Sequence, residues 1–248
     1  MRRRARRGPG RPPESANRPC PFLLRELVVV RFKGLGEKET RAAIRQKQGP
    51  IGILVNNAGI AGGGLFADED PSRVAKALAV DLGGALCLTR IVLPHMTEAS
   101  WGRIVNISSM MAFTGSPGFA VYSAAKAGVL RFSEAIEREL RSQGQIRVTV
   151  VLPPSVRTQA FEDAKHANPG MMRWSMVPPV SVDQVAQRTV HGVITGRKRV
   201  YCSAQSYAAS LLQRVFPWLM DRLLMYMFRG VAERHQPAPG PQRPAPHA

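Results

Sequence analysis

The chain has 248 residues, of which 44% are hydrophobic and 21% are charged, as in an ordinary globular α/β domain. Its formal net charge of +18 suggests a nucleic-acid ligand, but residues 1–48 carry 14 basic against 4 acidic residues, so more than half of the excess lies outside the best-patterned part. Three widely spaced cysteines argue against a disulfide framework or a metal site and favour a reducing, cytoplasmic setting.

Both ends of the chain are predicted to be disordered. Residues 1–21 are rich in arginine and proline and lack apolar periodicity, and residues 236–248 form a proline-rich tail. No apolar core follows the N-terminal arginines, as a signal peptide requires, and we find no apolar run of about 18 residues that predicts a membrane-spanning helix.

The first patterned stretch lies at residues 27–48. Residues 27–32 are predicted to form a strand and residues 37–48 a charged helix. Gly34 and Gly36 lie between them, but a lone Gly-x-Gly is a weak sign of a dinucleotide-binding turn, and Glu39 occupies the position of the third glycine.

A continuous apolar run at residues 51–55 predicts a buried strand of a parallel sheet. A turn at residues 56–59 and a glycine-rich loop at residues 61–64 follow it. Asp70 and Pro71 favour a helix start, since an acid and an early proline suit the first turn. The predicted apolar face of this helix consists of Val74, Leu78, Leu82 and Leu86.

The stretch around which the chain is organised follows a predicted strand at residues 103–108. Ser109 ends that strand, and Tyr122 and Lys126 open a segment with helical spacing, so an ammonium lies beside a phenol on one helix face. A nearby positive charge lowers the pKa of a tyrosine, which can then exchange protons near neutral pH. Such a pair also occurs by chance, and a serine at a strand end is commonly a cap or turn residue.

Another strand is predicted at residues 146–152, followed by the segment 153–158. Residues 159–179 are predicted to be a mobile, Met-rich loop, either a lid over an apolar substrate or a loop packed on its own body. A helix is predicted to start near Ser181, with Val185, Ala186, Thr189 and Val193 along its inner side. A last strand is predicted at residues 199–203.

Residues 207–229 are apolar at helical spacing, and Pro217 is expected to kink them. Asp221 and Arg222 oppose a simple membrane span. This segment would lie on a membrane surface, clasp a second subunit or cover the substrate pocket, and packing on its own domain or a partner subunit is favoured.

Four signals occur in one order: residues 51–59, Ser109, the Tyr122–Lys126 pair, and residues 153–158 after a strand. Together they resemble the short-chain dehydrogenase/reductase family over residues 27–203. The resemblance implies an α/β fold of Rossmann type, with a doubly wound parallel sheet and helices on both faces, and NAD or NADP as the cofactor.

The resemblance also implies roles for individual residues. Tyr122 would be the acid/base, Lys126 would lower its pKa and bind the nicotinamide ribose, and Ser109 would hydrogen-bond the substrate oxygen. Asp81 stands where the family has an asparagine that holds a water linked to the lysine, although an ordinary helix acid is an equally good interpretation. The implied cofactor contacts are Asn56, Ala58, Gly59, Tyr122, Lys126, Val156 and Thr158.

Two features depart from the family. Its Thr-Gly-x-x-x-Gly-x-Gly turn, which lets the backbone approach the pyrophosphate, is absent from the sequence. We therefore expect an N-terminally incomplete fold and a truncated or wrongly started reading of a longer gene. Pro154 stands where the family usually has glycine, which puts the local backbone path in question.

The leading hypothesis is an NAD(P)-dependent oxidoreductase that acts on a hydroxyl or ketone of a lipophilic small molecule. The alternatives are a truncated, non-catalytic chain that cannot bind the dinucleotide and a basic protein that binds nucleic acid or membrane. We expect a cytoplasmic homo-oligomer without a specific nucleic-acid ligand, with peripheral membrane contact through residues 207–229 as a further alternative. The predicted organisation is a leader (1–21), a catalytic domain (22–205), an amphipathic helical region (206–235) and a tail (236–248).

Overall fold

The computed structural model describes residues 51–60, 63–167 and 178–230 of the chain. Several predicted features lie outside the described residues and stay predictions: the leader at 1–21, the strand at 27–32, the helix at 37–48 and the tail at 236–248.

Four parallel strands form the sheet at the centre of the fold. They lie side by side in chain order, β1-β2-β3-β4. Their bounds are Ile53–Asn56 for β1, Trp101–Ile107 for β2, Gln145–Leu152 for β3 and Arg199–Tyr201 for β4. All four predicted strands in this part of the chain are confirmed, with ends that differ by at most two residues.

Six helices accompany the sheet in the described residues. Helix α1 runs continuously over Pro71–Glu98 and contains a π-helical turn at Ala79–Gly83. The others are α2 (Ala120–Glu139), α3 (Gln159–Ala167), α4 (Val182–Ile194), α5 (Ala204–Val215) and α6 (Pro217–Met227). Short 3₁₀ turns lie at Phe66–Asp68, Met110–Ala112 and Leu140–Ser142.

The predicted helix starts are confirmed by side-chain caps. The carboxylate of Asp70 accepts a hydrogen bond from the Ser72 backbone N–H at 2.7 Å, and Pro71 occupies the first turn of α1, where its missing N–H costs nothing. The Ser181 hydroxyl accepts one from the Gln184 N–H at 3.1 Å at the start of α4.

Helices cover both faces of the sheet because side chains alternate along each buried strand. On one face, Ile104 and Val148 pack with α1 through Val92 and Met96. On the other face, Val105, Val151 and Val200 pack with α4 through Val185 and Val193. The predicted α/β fold of Rossmann type is confirmed. Of the positions predicted to line α4, Ala186 is exposed.

The predicted apolar face of α1 is wrong. Leu78 and Leu86 are exposed, and the buried side chains are Asp81, Ala85, Thr89, Ile91, Val92 and Met96. The predicted line advanced four residues at every step, and such a line drifts around a helix with 3.6 residues per turn. The buried positions Asp81, Ala85, Thr89, Val92 and Met96 instead keep the mixed three- and four-residue spacing of one helix face. Leu82 packs between the helices, where it lies against Gly128 of α2.

Helix α1 is also long and apolar enough to cross a membrane by length and composition. Its most apolar window has a mean hydropathy of 1.6, so the prediction that no such stretch exists is wrong for Pro71–Glu98. The helix packs on β1, β2 and α2 and carries the buried acid Asp81. These contacts are those of a core helix of the domain.

Strand β1 lies at one edge of the sheet in the described part of the chain, where it pairs with β2 alone. Val55 in this short strand is 47% exposed, although a strand of a parallel sheet is normally covered on both faces. The prediction of an N-terminally incomplete chain falls on residues 1–50, which lie outside the described residues, and it stays a prediction.

The structure differs from two predictions, one for the segment after Thr158 and one for the C-terminal helical segment. Gln159–Ala167 is a helix rather than part of a mobile loop, and the Met-rich part of that loop (residues 168–177) lies outside the described residues. Pro217 does more than kink the C-terminal segment. The helix breaks at Phe216, and Pro217 starts α6 at a position that tolerates proline.

Candidate active site

Ser109 is held at the carboxyl end of the sheet by backbone bonds on both sides. The Ser108 N–H donates to the Val151 carbonyl at 2.9 Å, and the Met110 N–H donates to the Pro153 carbonyl at 2.8 Å. The Ser109 hydroxyl accepts from the Met111 N–H at 3.1 Å and so caps the Met110–Ala112 turn. The serine is therefore both a cap and a buried hydroxyl in a defined position.

Tyr122 lies in the first turn of α2, close enough to Ser109 for that hydroxyl to favour the ionised phenol. Burial raises the pKa of Tyr122 above 10, the Ser109 contact lowers it, and the charge of Asp81 raises it further. On balance the pKa of Tyr122 is raised, because burial and Asp81 outweigh the Ser109 contact, and the predicted lowering by Lys126 stays a prediction.

Lys126 lies one helical turn after Tyr122 in α2 and is almost fully buried, with 4% of its surface exposed. Its ammonium is 5.5 Å from the centroid of the Tyr122 ring and donates to the Ile107 carbonyl at 3.4 Å. Burial lowers the pKa of Lys126, and the nearby charge of Asp81 raises it. The predicted juxtaposition of ammonium and phenol is present.

Asp81 reaches this site from the π-helical turn of α1. Its Oδ2 lies 3.5 Å from Lys126 Nζ, and its Oδ1 accepts the Ile60 N–H at 2.6 Å. Burial raises the pKa of Asp81, although Lys126 and the Ile60 N–H lower it. The carboxylate thus links the turn after β1 to the buried lysine.

Gly59 lies directly against this ion pair. A Cβ at Gly59 would be 3.1 Å from Lys126 Nζ and 3.4 Å from Asp81 Oδ2, so glycine lets the turn approach the pair closely. Ala58 and Gly59 are both exposed on their other side. An exposed turn packed on a buried lysine fits the nicotinamide end of a dinucleotide.

Asn56 is placed differently from its neighbours. Its amide is buried and donates to Asn106 Oδ1 at 2.8 Å and to Thr89 Oγ1 at 3.3 Å, and Asn106 in turn donates to Ser133 Oγ at 2.8 Å. This chain of polar groups ties β1, β2 and the two covering helices together. The buried Asn56 side chain is therefore held by hydrogen bonds between the strands and helices. Its contact with the cofactor stays a prediction.

Val156 and Thr158 lie after β3 at the same edge of the sheet. Val156 forms an isolated bridge with Val180, and the Arg157 N–H donates to the Val180 carbonyl at 2.9 Å. The Thr158 hydroxyl accepts the Phe161 N–H at 3.3 Å at the start of α3. Pro154 is buried, and this segment has a defined path without the family's glycine.

A cavity of about 260 Å³ opens beside Tyr122, between the first turns of α1 and α2. Phe119 at its wall belongs to an apolar cluster with Met220, Leu224 and Phe228, against which Tyr122 and Met111 also pack. Sequence analysis did not assign these apolar residues to the site. The four-residue spacing of Met220, Leu224 and Phe228 predicts one face of a helix, but it does not predict what that face packs against.

No group of three potential metal ligands (His, Cys, Asp or Glu) occurs within the part of the chain that the structure describes.

A profile of the short chain dehydrogenase family matches residues 37–169, a little over half of the chain. The chain belongs to the short-chain dehydrogenase/reductase family. It is 41% identical to nodulation protein G of Azospirillum brasilense over 117 residues, which are 47% of each chain. It is 36% identical to the ketoacyl reductase HetN of Nostoc sp. over 216 residues, 84% of this chain and 74% of the relative.

Members of this family with solved structures share the fold. A short chain dehydrogenase from Burkholderia cenocepacia in complex with NADP superposes with a TM-score of 0.64 at 23% identity, over 77% of this chain and 75% of the other. One from Burkholderia phymatum in complex with NAD gives a TM-score of 0.64 at 20% identity, over 74% and 73%. The chain spans only about half the length of the first curated relative that it matches.

Proposed function

We propose that the protein is an NAD(P)-dependent oxidoreductase that interconverts a hydroxyl and a ketone on a lipophilic small molecule. The observation that carries the proposal is the convergence of Ser109, Tyr122 and Lys126 at the carboxyl end of the sheet, in one hydrogen-bonded and ion-paired arrangement with Asp81. Ligands of parallel α/β folds bind at this edge.

The described residues fit the nicotinamide end of the cofactor. Lys126 and Tyr122 would bind the ribose, the turn at Ala58 and Gly59 would lie along it, and Val156 and Thr158 would face its carboxamide side. When bound, the nicotinamide supplies or accepts the hydride. The solved relatives in complex with NADP and NAD support this assignment at the level of the cofactor class.

In the reducing direction, a ketone, a hydride and one proton give an alcohol. Tyr122 donates the proton to the carbonyl oxygen, and the Ser109 hydroxyl donates a hydrogen bond to that oxygen while negative charge develops on it. Lys126 holds a positive charge beside the phenolate that remains. Asp81 keeps this charge in place, and in oxidation the same groups act in reverse.

A lipophilic substrate is supported by the surroundings of Tyr122. Phe119, Met111 and the inner face of α6 form an apolar wall beside the phenol, and desolvated apolar walls with few polar groups are typical of small-molecule sites. HetN, which shares 36% identity with this chain, is named a ketoacyl reductase.

Cofactor binding tests the proposal directly. NADPH and NADH are titrated while the fluorescence of the dihydronicotinamide is followed, with the full chain and with Tyr122→Phe. Binding to both proteins, with turnover of ketones by the unsubstituted chain alone, is the expected result. No binding at millimolar cofactor would contradict the proposal and favour the non-catalytic alternative.

Cys87 and Cys202 are both free thiols, in keeping with the proposed cytoplasmic setting. The homo-oligomer remains a prediction.

A further inference from the structure

Helices α5 and α6 form a C-terminal helix pair (residues 204–227) with two different faces. The inner face of α6 carries Met220 and Leu224, which are buried and continue the apolar cluster around Phe119. The outer faces are apolar as well. The described part of the chain exposes fifteen large hydrophobic side chains, and eight of them lie on this pair, so the exposure is concentrated there: Tyr207, Leu211, Val215, Phe216, Trp218, Leu219, Met225 and Tyr226.

The exposed positions follow the helix repeat. Tyr207, Leu211 and Val215 are four residues apart and share one face of α5, where they are 50% exposed or more. Trp218 and Met225 are seven apart and share one face of α6, with exposed fractions of 59% and 58%. Phe216, 50% exposed, joins the two faces at the corner between the helices.

The charge of this surface is positive. Residues 204–230 contain three arginines, Arg214, Arg222 and Arg229, and one acid, Asp221. All four are exposed. Arginines beside exposed leucine, tryptophan and tyrosine are the composition of a helix that lies at the interface of an anionic bilayer, because aromatic rings partition to the headgroup level and cations are attracted to the lipid phosphates.

We propose that the outer face of the C-terminal helix pair binds the surface of an anionic lipid bilayer. A protein partner would fit the exposed apolar side chains, but the excess of arginine among them, three against one acid, is complementary to lipid phosphates and disfavours a second copy of the same positive surface. The chain is positive overall, at +18, which adds to the attraction toward an anionic membrane.

The position of the C-terminal helix pair affects how the substrate reaches the active site, a step that rests on the proposed function. Because the inner face of α6 packs on the cluster around Phe119 and Tyr122, docking of the outer face would bring the catalytic tyrosine close to the membrane. A lipophilic ketone could then pass from the bilayer to the site without crossing water.

The contact is tested with the full chain in which Trp101 and Trp174 are replaced by phenylalanine, so that Trp218 is the one fluorophore of its kind. Vesicles of phosphatidylcholine with 30% phosphatidylserine are compared with pure phosphatidylcholine vesicles, and brominated lipids serve as quenchers. We expect a blue shift and quenching of Trp218 with the anionic vesicles. Unchanged Trp218 emission would overturn the proposal, even if the arginine-rich N-terminal residues hold the chain on the vesicles.

A matched pair of variants tests whether vesicle binding depends on this surface or on exposed apolar side chains in general. Leu211→Ser with Met225→Ser should reduce sedimentation with anionic vesicles at least fivefold. Val190→Ser with Ile194→Ser replaces two side chains on α4 that are at least as exposed on average, at 57% and 78%, and should leave sedimentation unchanged. Equal losses in both variants would contradict the proposal.

Two further measurements identify the other outcomes. If light scattering shows that the Leu211 and Met225 variant dissociates an oligomer while vesicle binding does not change, the surface is a subunit interface and the proposal is wrong. NADPH titration of the same variant should match that of the unsubstituted chain. If the unsubstituted chain binds NADPH but does not bind anionic vesicles, the membrane contact is overturned and the proposed enzyme function stands.

Discussion

Lys126 and Asp81 face each other in the interior, with Nζ and Oδ2 3.5 Å apart and side chains that are 5% and 1% exposed. This separation is longer than a good N–H···O hydrogen bond of about 2.9 Å. Burial lowers the pKa of the lysine and raises that of the aspartate, so each group loses solvation that the other only partly replaces. The buried pair therefore lowers the stability of the folded protein, and its charged groups remain available to the active site.

Asp81→Asn should shift the pH dependence of alcohol oxidation toward lower pH. The charge of Asp81 raises the pKa of both Tyr122 and Lys126, so its removal lets the phenolate form at lower pH and lets the ammonium deprotonate at lower pH. Both limbs of the profile should move in the same direction. The measurement is the pH profile of kcat/KM, with the exposed Asp183→Asn on α4 as the control. An unmoved profile would argue against an electrostatic role for Asp81.

Lys126→Met should destabilise the protein by about 3 kcal/mol, because it leaves the carboxylate of Asp81 buried without its cation. The double variant with Asp81→Asn should recover most of the loss, since neither group then carries a buried charge. Urea unfolding at pH 7 measures both. Equal stability of Lys126→Met and the double variant would contradict the expected cost of leaving the Asp81 carboxylate unpaired.

The pH dependence of stability has a definite sign. The raised pKa of Asp81 makes its contribution largest at low pH, where it is protonated, and this contribution falls as the pH rises from the unfolded value of 3.8 through the folded value. In the Lys126→Met background, where the opposing charge is missing, the fall should be steeper. Asp81→Asn should remove it, as melting temperatures between pH 4 and pH 7 would reveal.

Gly59→Ala should lower activity while the protein still folds. The new methyl would lie 3.1 Å from Lys126 Nζ, so the lysine or the turn must shift by a few tenths of an ångström. A small displacement of a group that positions the cofactor is expected to reduce kcat/KM by roughly tenfold or more. Gly115→Ala is a suitable control, because a Cβ there meets nothing within 4 Å. Equal activity of the two variants would contradict the close packing of the turn.

Tyr122→Phe should reduce kcat by roughly 10² to 10⁴-fold, the usual contribution of a general acid or base. Ser109→Ala should have a smaller effect in the same direction, since the hydroxyl hydrogen-bonds the reacting oxygen. Tyr207→Phe removes the same atom from an exposed tyrosine on α5 and should change nothing. Steady-state rates, with NADPH affinity as a second readout, check all three. Residual activity of Tyr122→Phe near that of the unsubstituted chain would assign the proton transfer to another group.

Local features were predictable because they depend on neighbours in the chain. The cap at Asp70, the strand before Ser109 and the four-residue spacing of Tyr122 and Lys126 follow from the pleat, the helix repeat and hydrogen bonds over a few residues. The predicted apolar face of α1 failed at the same level, because it followed steps of four residues, whereas the buried side follows the mixed three- and four-residue spacing of the helix repeat.

The sequence by itself therefore determined the order of the strands along the chain, the helix starts and the presence of a tyrosine and a lysine on one helix face. Only the tertiary structure decided that Asp81, 45 residues before Lys126, lies against it and that the pKa of Tyr122 is raised. It also decided which face of α6 covers the tyrosine and which faces outward. These properties depend on burial and on charges brought together across the fold, and neither is a function of spacing along the chain.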